Sequence, residues 1–279
     1  PPRPDAFRDA LRLNTRLAVL SHPFGAECDV EPLARLARAR GLLVVEDRTQ
    51  GFDGELRLSP GVDVTLYGFG LGQSHTALGG ALALIRDATL AGRVREVLAR
   101  RPVAPRRWWL TRVGRAMLLK LVCRPGLYGL FAQAADASGR DVDQVTARLT
   151  RAVDEANLLK AVRRRPPGAL VSLLARRLTD RFPTPAMQHR RAKSEALARD
   201  LALSAPVPGR QAPRHAWSLL PVMTAAPDKT IDVLRASGFD ATRFARGVKA
   251  LTLDPRRAPP VARRIMAEAV FLPDPSDMD

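Results

Sequence analysis

Short apolar runs alternate with helical repeats over the first part of the chain. The run LAVLSHPFG, residues 17–25, predicts a buried strand that ends in a glycine turn. In the next segment, residues 29–41, apolar residues recur at helical spacing, with Asp29 as the expected N-cap and Gly41 at the carboxyl end. A second strand over residues 42–46 completes a strand–helix–strand unit, which is the building block of a parallel sheet.

A glycine-rich loop lies between two further strand-like runs. The loop is YGFGLGQSHTALGG, residues 67–80, and the flanking runs are VDVTLY and ALALI. Ligands of open α/β sheets bind beyond the carboxyl ends of the strands, and glycines allow a ligand to approach the backbone closely. Asp47, which follows the apolar run LLVV, is expected to direct its carboxylate into the same cleft.

The rest of the chain is dominated by helical patterns. These cover residues 87–101, 141–164, 168–181 and 186–203, and a further helical repeat surrounds Trp108 and Trp109 within 106–135. A strand over 215–223, a helix over 228–241, and a helix with a short strand over 259–274 then describe a small α/β domain. We therefore predict three regions: 1–87 as part of a large domain, 88–185 as a basic helical insertion, and 186–279 as the small domain.

Residues 106–135 combine basic side chains, two tryptophans and apolar residues at helical spacing. Trp108 and Trp109 stand among arginines and leucines, and Pro125 and Gly126 interrupt the pattern. This composition is typical of a helix that lies on a membrane surface. An amphipathic helical hairpin that packs on the protein itself, or on a partner subunit, gives the same pattern. Peripheral membrane contact through residues 106–135 is therefore one of two open interpretations.

The chain of 279 residues is strongly basic, with a formal net charge of +17. Only five of the 45 basic residues are lysines, an arginine bias that a GC-rich genome also produces. The charge is compatible with an anionic partner such as a nucleotide sugar or an anionic membrane surface. We expect no nucleic-acid partner, because the basic runs lack interleaved aromatics, a recognisable motif or zinc-type spacing.

The spacing of the cysteines and histidines argues against paired cysteines and against a metal site. Cys28 and Cys123 have no paired spacing, which favours a reduced cytoplasmic protein. The four histidines have no metal-type spacing, so we expect no metal. The first residues lack the layout of a signal peptide, and no apolar run approaches the roughly 18 residues that a membrane span needs.

Two runs together resemble a known family. GLLVVEDRTQGFDGE and DVTLYGFGLGQSHTALGGALALI are similar to the core of the DegT/DnrJ/StrS family of pyridoxal-phosphate sugar aminotransferases. The family pattern is an Asp, a Gln three residues on, then Ser-Phe-x-x-x-Lys, and a Gly-Gly before the next strand. The resemblance implies an α/β fold of the fold-type I PLP-transferase kind, a three-layer sheet with a helical insertion and a small C-terminal α/β domain.

The resemblance also implies roles for individual residues. Asp47 would pair with the pyridine nitrogen of the cofactor, and Gln50 would lie beside its ring. Gly68 stands where the family has a phosphate-binding Ser, and Gln73 where it has the Schiff-base Lys. An amide forms no imine, so the resemblance implies a degenerate active site. His75, which in an extended segment would face the same side as Gln73, is a candidate substitute base.

The resemblance extends to the end of the chain and has gaps. HAW at 215–217, GFDAT at 238–242 and LPDP at 272–275 follow the order of the family's C-terminal domain, although the tail motif has lost its His. A glycine–threonine loop and a ring-stacking aromatic, which the family places earlier, have no counterpart. We therefore expect the sequence to be a fragment of a longer protein, because a sheet without half its strands leaves a bare edge.

These observations lead to one hypothesis with two alternatives. The resemblance implies a homodimeric nucleotide-sugar aminotransferase-like protein of polysaccharide or secondary-metabolite biosynthesis. It would use pyridoxal or pyridoxamine phosphate on a nucleotide-linked keto-sugar. The alternatives are an inactive homologue that acts as partner or scaffold, and a pyridoxamine-phosphate-dependent sugar dehydratase-like enzyme.

Overall fold

The chain forms two compact units in a computed structural model, which describes residues 3–73, 75–124, 162–179, 184–244 and 259–277 and the single positions 127, 129 and 159. The first unit comprises Pro1–Pro23 and Glu27–Pro183, and the second comprises Phe24–Ala26 and Thr184–Asp279. Residues 88–179, so far as they are described, therefore belong to the same unit as the sheet.

The first unit contains a four-stranded sheet in the order β1-β2-β3-β4. Its strands are β1 (Leu17–Ser21), β2 (Leu43–Asp47), β3 (Val64–Gly68) and β4 (Ala81–Ile85). The first three run parallel, and β4 is antiparallel to β3. The antiparallel strand follows directly from the glycine-rich loop, which reverses the chain between β3 and β4. The sheet confirms the predicted strand–helix–strand unit and the mixed α/β class.

One face of this sheet is covered by helix α2 (Glu31–Arg38), and α1 (Pro4–Ala10) adds Phe7 at the edge of the same core. The buried side chains alternate along β1 and β2, as the period of two in a strand requires. They pack against three residues of α2; the cluster includes Ala18, Leu20, Val44, Leu33, Ala34 and Ala37.

The prediction that Asp29 caps α2 is wrong, since the N-cap residue is Val30 and its side chain makes no capping bond. Instead, Asp29 Oδ1 accepts a hydrogen bond from the backbone N–H of Glu31 at 3.1 Å. This local turn satisfies one orphan N–H of the helix from one position further upstream.

The opposite face of the sheet is more open. Leu17, Val19 and Leu43 expose large parts of their side chains there, with Val19 57% exposed. Parallel sheets usually have both faces covered, so their strands carry apolar residues on both sides. Among the described residues, the helix layer over this half of the sheet lies on one side only.

Three further helices of the first unit are described: α3 (Ala88–Ala99), α4 (Arg106–Val122) and α5 (Gly168–Leu178). Asp87 caps α3 by accepting a hydrogen bond from Leu90 N at 2.6 Å. The helix predicted over 141–164 lies almost entirely outside the described residues. No helix in the described part of the chain combines the length and hydropathy needed to cross a bilayer.

The second unit is a small α/β arrangement. It contains α6 (Pro185–Leu201), β5 (Leu220–Met223), α7 (Pro227–Ala236), α8 (Pro260–Glu268) and β6 (Ala269–Leu272), with β5 and β6 antiparallel. The predicted strand over 215–223 begins only at Leu220. His215 and Trp217 precede it, and Trp217 has a positive φ of 48°, which is incompatible with a regular strand.

Candidate functional site

The loop after β3 is closed by the side chain of Gln73. Its Oε1 accepts a hydrogen bond from Gly70 N at 3.1 Å, and its backbone N–H donates to the Gly70 carbonyl at 3.2 Å. The amide also lies against Gly68, because a Cβ added there would be 2.6 Å from Gln73 Nε2. Gln73 therefore occupies the space that a side chain at position 68 would need.

Asp47 lies on the same face of the sheet as Gly68. The register pairs Asp47 with Leu66, and Gly68 is two residues further along β3. The turn after Asp47 also reaches Gly68, because a Cβ added at Gly68 would be 3.1 Å from Thr49 Cγ2. The Asp47 carboxylate is half-buried, and its Oδ1 accepts a hydrogen bond from Thr49 N at 2.9 Å. Asp47, Gly68 and Gln73 thus form one group at the carboxyl ends of β2 and β3.

Gln50 lies in the turn that follows Asp47. This turn is closed by a hydrogen bond from Gly51 N to the Arg48 carbonyl at 2.9 Å, and Gln50 itself is exposed. Its proposed position beside a cofactor ring stays a prediction.

His75 is buried, and its contacts include those with Arg177 and Phe52. Its Nε2 lies 3.2 Å from the carbonyl oxygen of Arg177 in α5, which can accept a hydrogen bond from the protonated nitrogen. Its ring is 5.8 Å from that of Phe52, and Phe52 packs edge-on against Tyr67. By the alternation of β3, Tyr67 points to the face opposite Gly68. The role of His75 as a base stays a prediction.

A second polar cluster, which the sequence reasoning missed, surrounds Glu46. Glu46 is fully buried. Its Oε1 accepts hydrogen bonds from His22 Nε2 at 2.9 Å and Ser59 Oγ at 2.8 Å. Arg48 Nη2 is also 2.9 Å from Oε1, and Thr65 Oγ1 donates to Oε2 at 2.9 Å. Four groups therefore hold one carboxylate in place.

Further ion pairs connect the Glu46 cluster to charged side chains nearer the surface. Arg48 Nη2 donates to Glu27 Oε1 at 2.8 Å, and Arg57 pairs with Glu27 at 3.2 Å and with Asp53 at 2.8 Å. Burial alone would raise the pKa of Glu46, but hydrogen bonds from His22 and Arg48 and the Arg48 charge outweigh it and lower the pKa to about 2.

The sequence does carry a signal for the Glu46 cluster. Glu46 is two residues after the buried Val44 in an apolar run, so the strand period directs it into the core. A buried carboxylate needs a partner, and Arg48 is the next residue on the same face. No group of three acidic, histidine or cysteine side chains in the described ranges could hold a metal ion.

No protein-family profile matches the sequence, and no curated protein matches it by sequence. Solved structures do match. The aminotransferase TlmJ from Streptoalloteichus hindustanus matches 98% of this chain at 20% identity with a TM-score of 0.63. A DegT DnrJ EryC1 StrS aminotransferase from Brucella abortus matches 99% at 16% identity with a TM-score of 0.56.

A third match is NtdA from Bacillus subtilis, solved with bound cofactor PMP. It covers 98% of this chain at 13% identity with a TM-score of 0.58. A sugar aminotransferase from Micromonospora echinospora also matches, at 15% identity and a TM-score of 0.58. The chain spans 64%, 63% and 55% of the lengths of the first three structures. The protein therefore has the fold of the sugar aminotransferases over the part of that fold that it covers, as the sequence predicts.

One residue of the Asp47 group, Asp47 itself, fits a pyridoxal-type cofactor. A half-buried carboxylate at a strand end can hold a protonated ring nitrogen. At position 73, where the resemblance implies a Schiff-base Lys, the chain has a Gln whose amide is bonded to the loop itself. The group therefore fits a cofactor that is held without a covalent bond to this loop.

Proposed function

We propose that this protein is a sugar-aminotransferase homologue that binds pyridoxamine or pyridoxal phosphate non-covalently beside Asp47 and takes a nucleotide-linked keto-sugar. The main support is that Asp47 shares a sheet face with Gly68, and the Gln73 amide packs against Gly68 while it accepts a hydrogen bond from Gly70 N. The aminotransferase fold and the PMP-bound structure with that fold support it.

The chemistry divides between the cofactor and the chain. When bound, the cofactor supplies an electron sink for charge that develops on the substrate. The Asp47 carboxylate accepts a hydrogen bond from the protonated ring nitrogen and stabilises its positive charge. The Gln73 amide has no basic nitrogen, so it cannot remove or return a proton at the substrate carbon. A pyridoxamine form carries its own amine and needs no lysine tether, which is why we favour it.

A second candidate function is a non-catalytic partner or scaffold with the same fold. The observation that favours it is that both candidate catalytic side chains already lie at hydrogen-bond distance from backbone groups of the chain. Gln73 bonds Gly70, and His75 lies at hydrogen-bond distance from the Arg177 carbonyl. A homodimer with a cytoplasmic location suits both candidates and remains part of the proposal.

Titration with pyridoxamine phosphate tests the first candidate. We expect the protein to bind it, and Asp47→Asn to weaken binding about 10- to 100-fold, because a hydrogen bond to a charged group contributes about 1.5–3 kcal/mol. Calorimetry or cofactor fluorescence gives the affinities. Glu55→Gln is the matched control, since it removes one exposed negative charge from the same unit.

The outcomes separate the two candidates. Binding that weakens in Asp47→Asn and not in Glu55→Gln supports the cofactor site. If the folded wild-type protein binds no pyridoxamine or pyridoxal phosphate, the scaffold function replaces it. Equal affinity in wild type and Asp47→Asn would place any cofactor site elsewhere in the chain.

A further inference from the structure

Helix α4 is held to the first unit by Arg112. This side chain is buried, and its Nη1 donates a hydrogen bond to the Leu78 carbonyl in the glycine-rich loop at 2.9 Å. Its guanidinium also lies 4.2 Å from the ring centre of Trp108, a cation–π contact. Gly79 leaves room for this arrangement, because a Cβ there would be 2.9 Å from Arg112 Nη1. The contacts of Arg112 fix which side of α4 faces inwards.

The outward side of α4 is an apolar stripe. Leu110, Met117, Leu118 and Leu121 are 55%, 69%, 45% and 48% exposed. Their spacing of i, i+7, i+8 and i+11 places them on one side of the helix, over roughly 16 Å of its length. Gly114 lies between them and adds no side chain that would interrupt the stripe. Contiguous exposed apolar residues of this kind usually mark an interaction surface.

The charges around the stripe have a single sign. Arg106, Arg107 and Arg124 lie at its two ends, and Arg115 and Lys120 lie along its flanks. The sequence contains no Asp or Glu between residues 97 and 124. An apolar stripe with a purely basic rim matches an anionic lipid surface, where the acyl chains receive the apolar residues and each nearby Lys or Arg contributes about 1 kcal/mol.

We propose that α4 docks on the surface of an anionic lipid bilayer, with the Leu110–Leu121 stripe at the acyl boundary and the surrounding arginines on the headgroup phosphates. The sequence points to Trp108 and Trp109 as the membrane anchors. Both are half-buried, and Trp108 packs against the buried Arg112, so the structure assigns the anchoring role to the leucines and the methionine instead. The proposal uses none of the residues of the proposed cofactor site, so either proposal can fail without the other.

Vesicle flotation tests the proposal. Phosphatidylcholine vesicles with and without phosphatidylglycerol are compared at low and high salt. We expect binding only to the anionic vesicles and a marked loss at high salt. The triple variant Leu110→Gln, Met117→Gln, Leu121→Gln should bind at least tenfold more weakly, and Arg107→Gln with Arg115→Gln should lose about fivefold per residue.

The control variant replaces three exposed apolar residues of the second unit: Leu203→Gln, Val233→Gln, Val261→Gln. It should bind vesicles like wild type, and thermal unfolding should show that both triple variants remain folded. Absence of binding to anionic vesicles would overturn the proposal, as would equal binding of the stripe variant and wild type. If the stripe variant turned a dimer into a monomer with no change in vesicle binding, the stripe would be an interface between copies of the chain.

Discussion

Glu46 and Asp47 are neighbours on β2, and the alternation of a strand directs them to opposite faces of the sheet. Glu46 is fully buried, with its carboxylate bonded to His22, Ser59, Arg48 and Thr65. Asp47 is half-buried, and the bond from Thr49 N occupies its Oδ1. Two carboxylates one residue apart therefore have different environments.

The difference separates a structural carboxylate from one that is suited to a ligand. The chain itself supplies the donors from which the Glu46 carboxylate accepts. Removal of that carboxylate would leave these buried donors without a partner. Asp47 lies towards the open face, beside Gly68 and the glycine-rich loop. We therefore assign Glu46 to the stability of the fold and keep Asp47 as the proposed ligand-binding residue, and the two roles can be tested separately.

The largest expected effect is on stability. Glu46→Gln should lower the free energy of unfolding by about 3–5 kcal/mol, because it removes a buried negative charge that pairs with the buried Arg48 and accepts from three further donors. Asp47→Asn should change it by less than about 0.5 kcal/mol, since the amide oxygen can still accept from Thr49 N. Chemical denaturation at neutral pH measures both. Equal losses in the two variants would break the distinction between the two faces.

A somewhat smaller effect is expected in acid. The pKa of Glu46 is about 2 in the folded protein, against an ordinary value of 4.5. The unfolded chain therefore binds the proton first as the pH falls. The resulting stabilisation is fully present above pH 4.5 and is lost between pH 4.5 and 2, a change of about 3 kcal/mol.

Denaturation midpoints measured across this pH range check the prediction. In Glu46→Gln the free energy of unfolding should fall less between pH 4.5 and 2 than it does in the wild type. Asp47→Asn should show the same fall as the wild type. If Glu46→Gln loses as much stability in acid as the wild type does, other carboxylates control acid unfolding.

The sequence predicts the elements of the sheet well, because β1, α2, β2 and the two strands around the glycine-rich loop have clear periodicity. It also predicts that Asp47 and the glycine-rich loop lie at the same edge of the sheet, because each follows a strand; that Asp47 and Gly68 share a face depends on the register of β2 and β3. It does not predict what the Gln73 amide contacts, because that depends on how the loop closes on itself. The cluster around Glu46 escaped prediction because its members come from four separate segments of the chain.

The expectation for His75 shows the same limit. Placing it beside Gln73 assumes an extended backbone between the two residues. The loop folds back instead, with Ala77 N donating to the Phe69 carbonyl at 3.0 Å, and His75 is buried against Phe52. Likewise, an apolar run over 215–223 predicts a strand, but the positive φ of Trp217 delays the strand to Leu220.

Reductive labelling distinguishes a covalent from a non-covalent cofactor, because the proposed site beside Asp47 has no lysine tether. The protein is incubated with pyridoxal phosphate, reduced with borohydride and digested for mass spectrometry, with Gln73→Lys treated in parallel. We predict no stoichiometric label on any of the five lysines of the wild type, and a label at position 73 in the Gln73→Lys variant. A stoichiometric label on one wild-type lysine that Asp47→Asn abolishes would show that a lysine does tether the cofactor at this site.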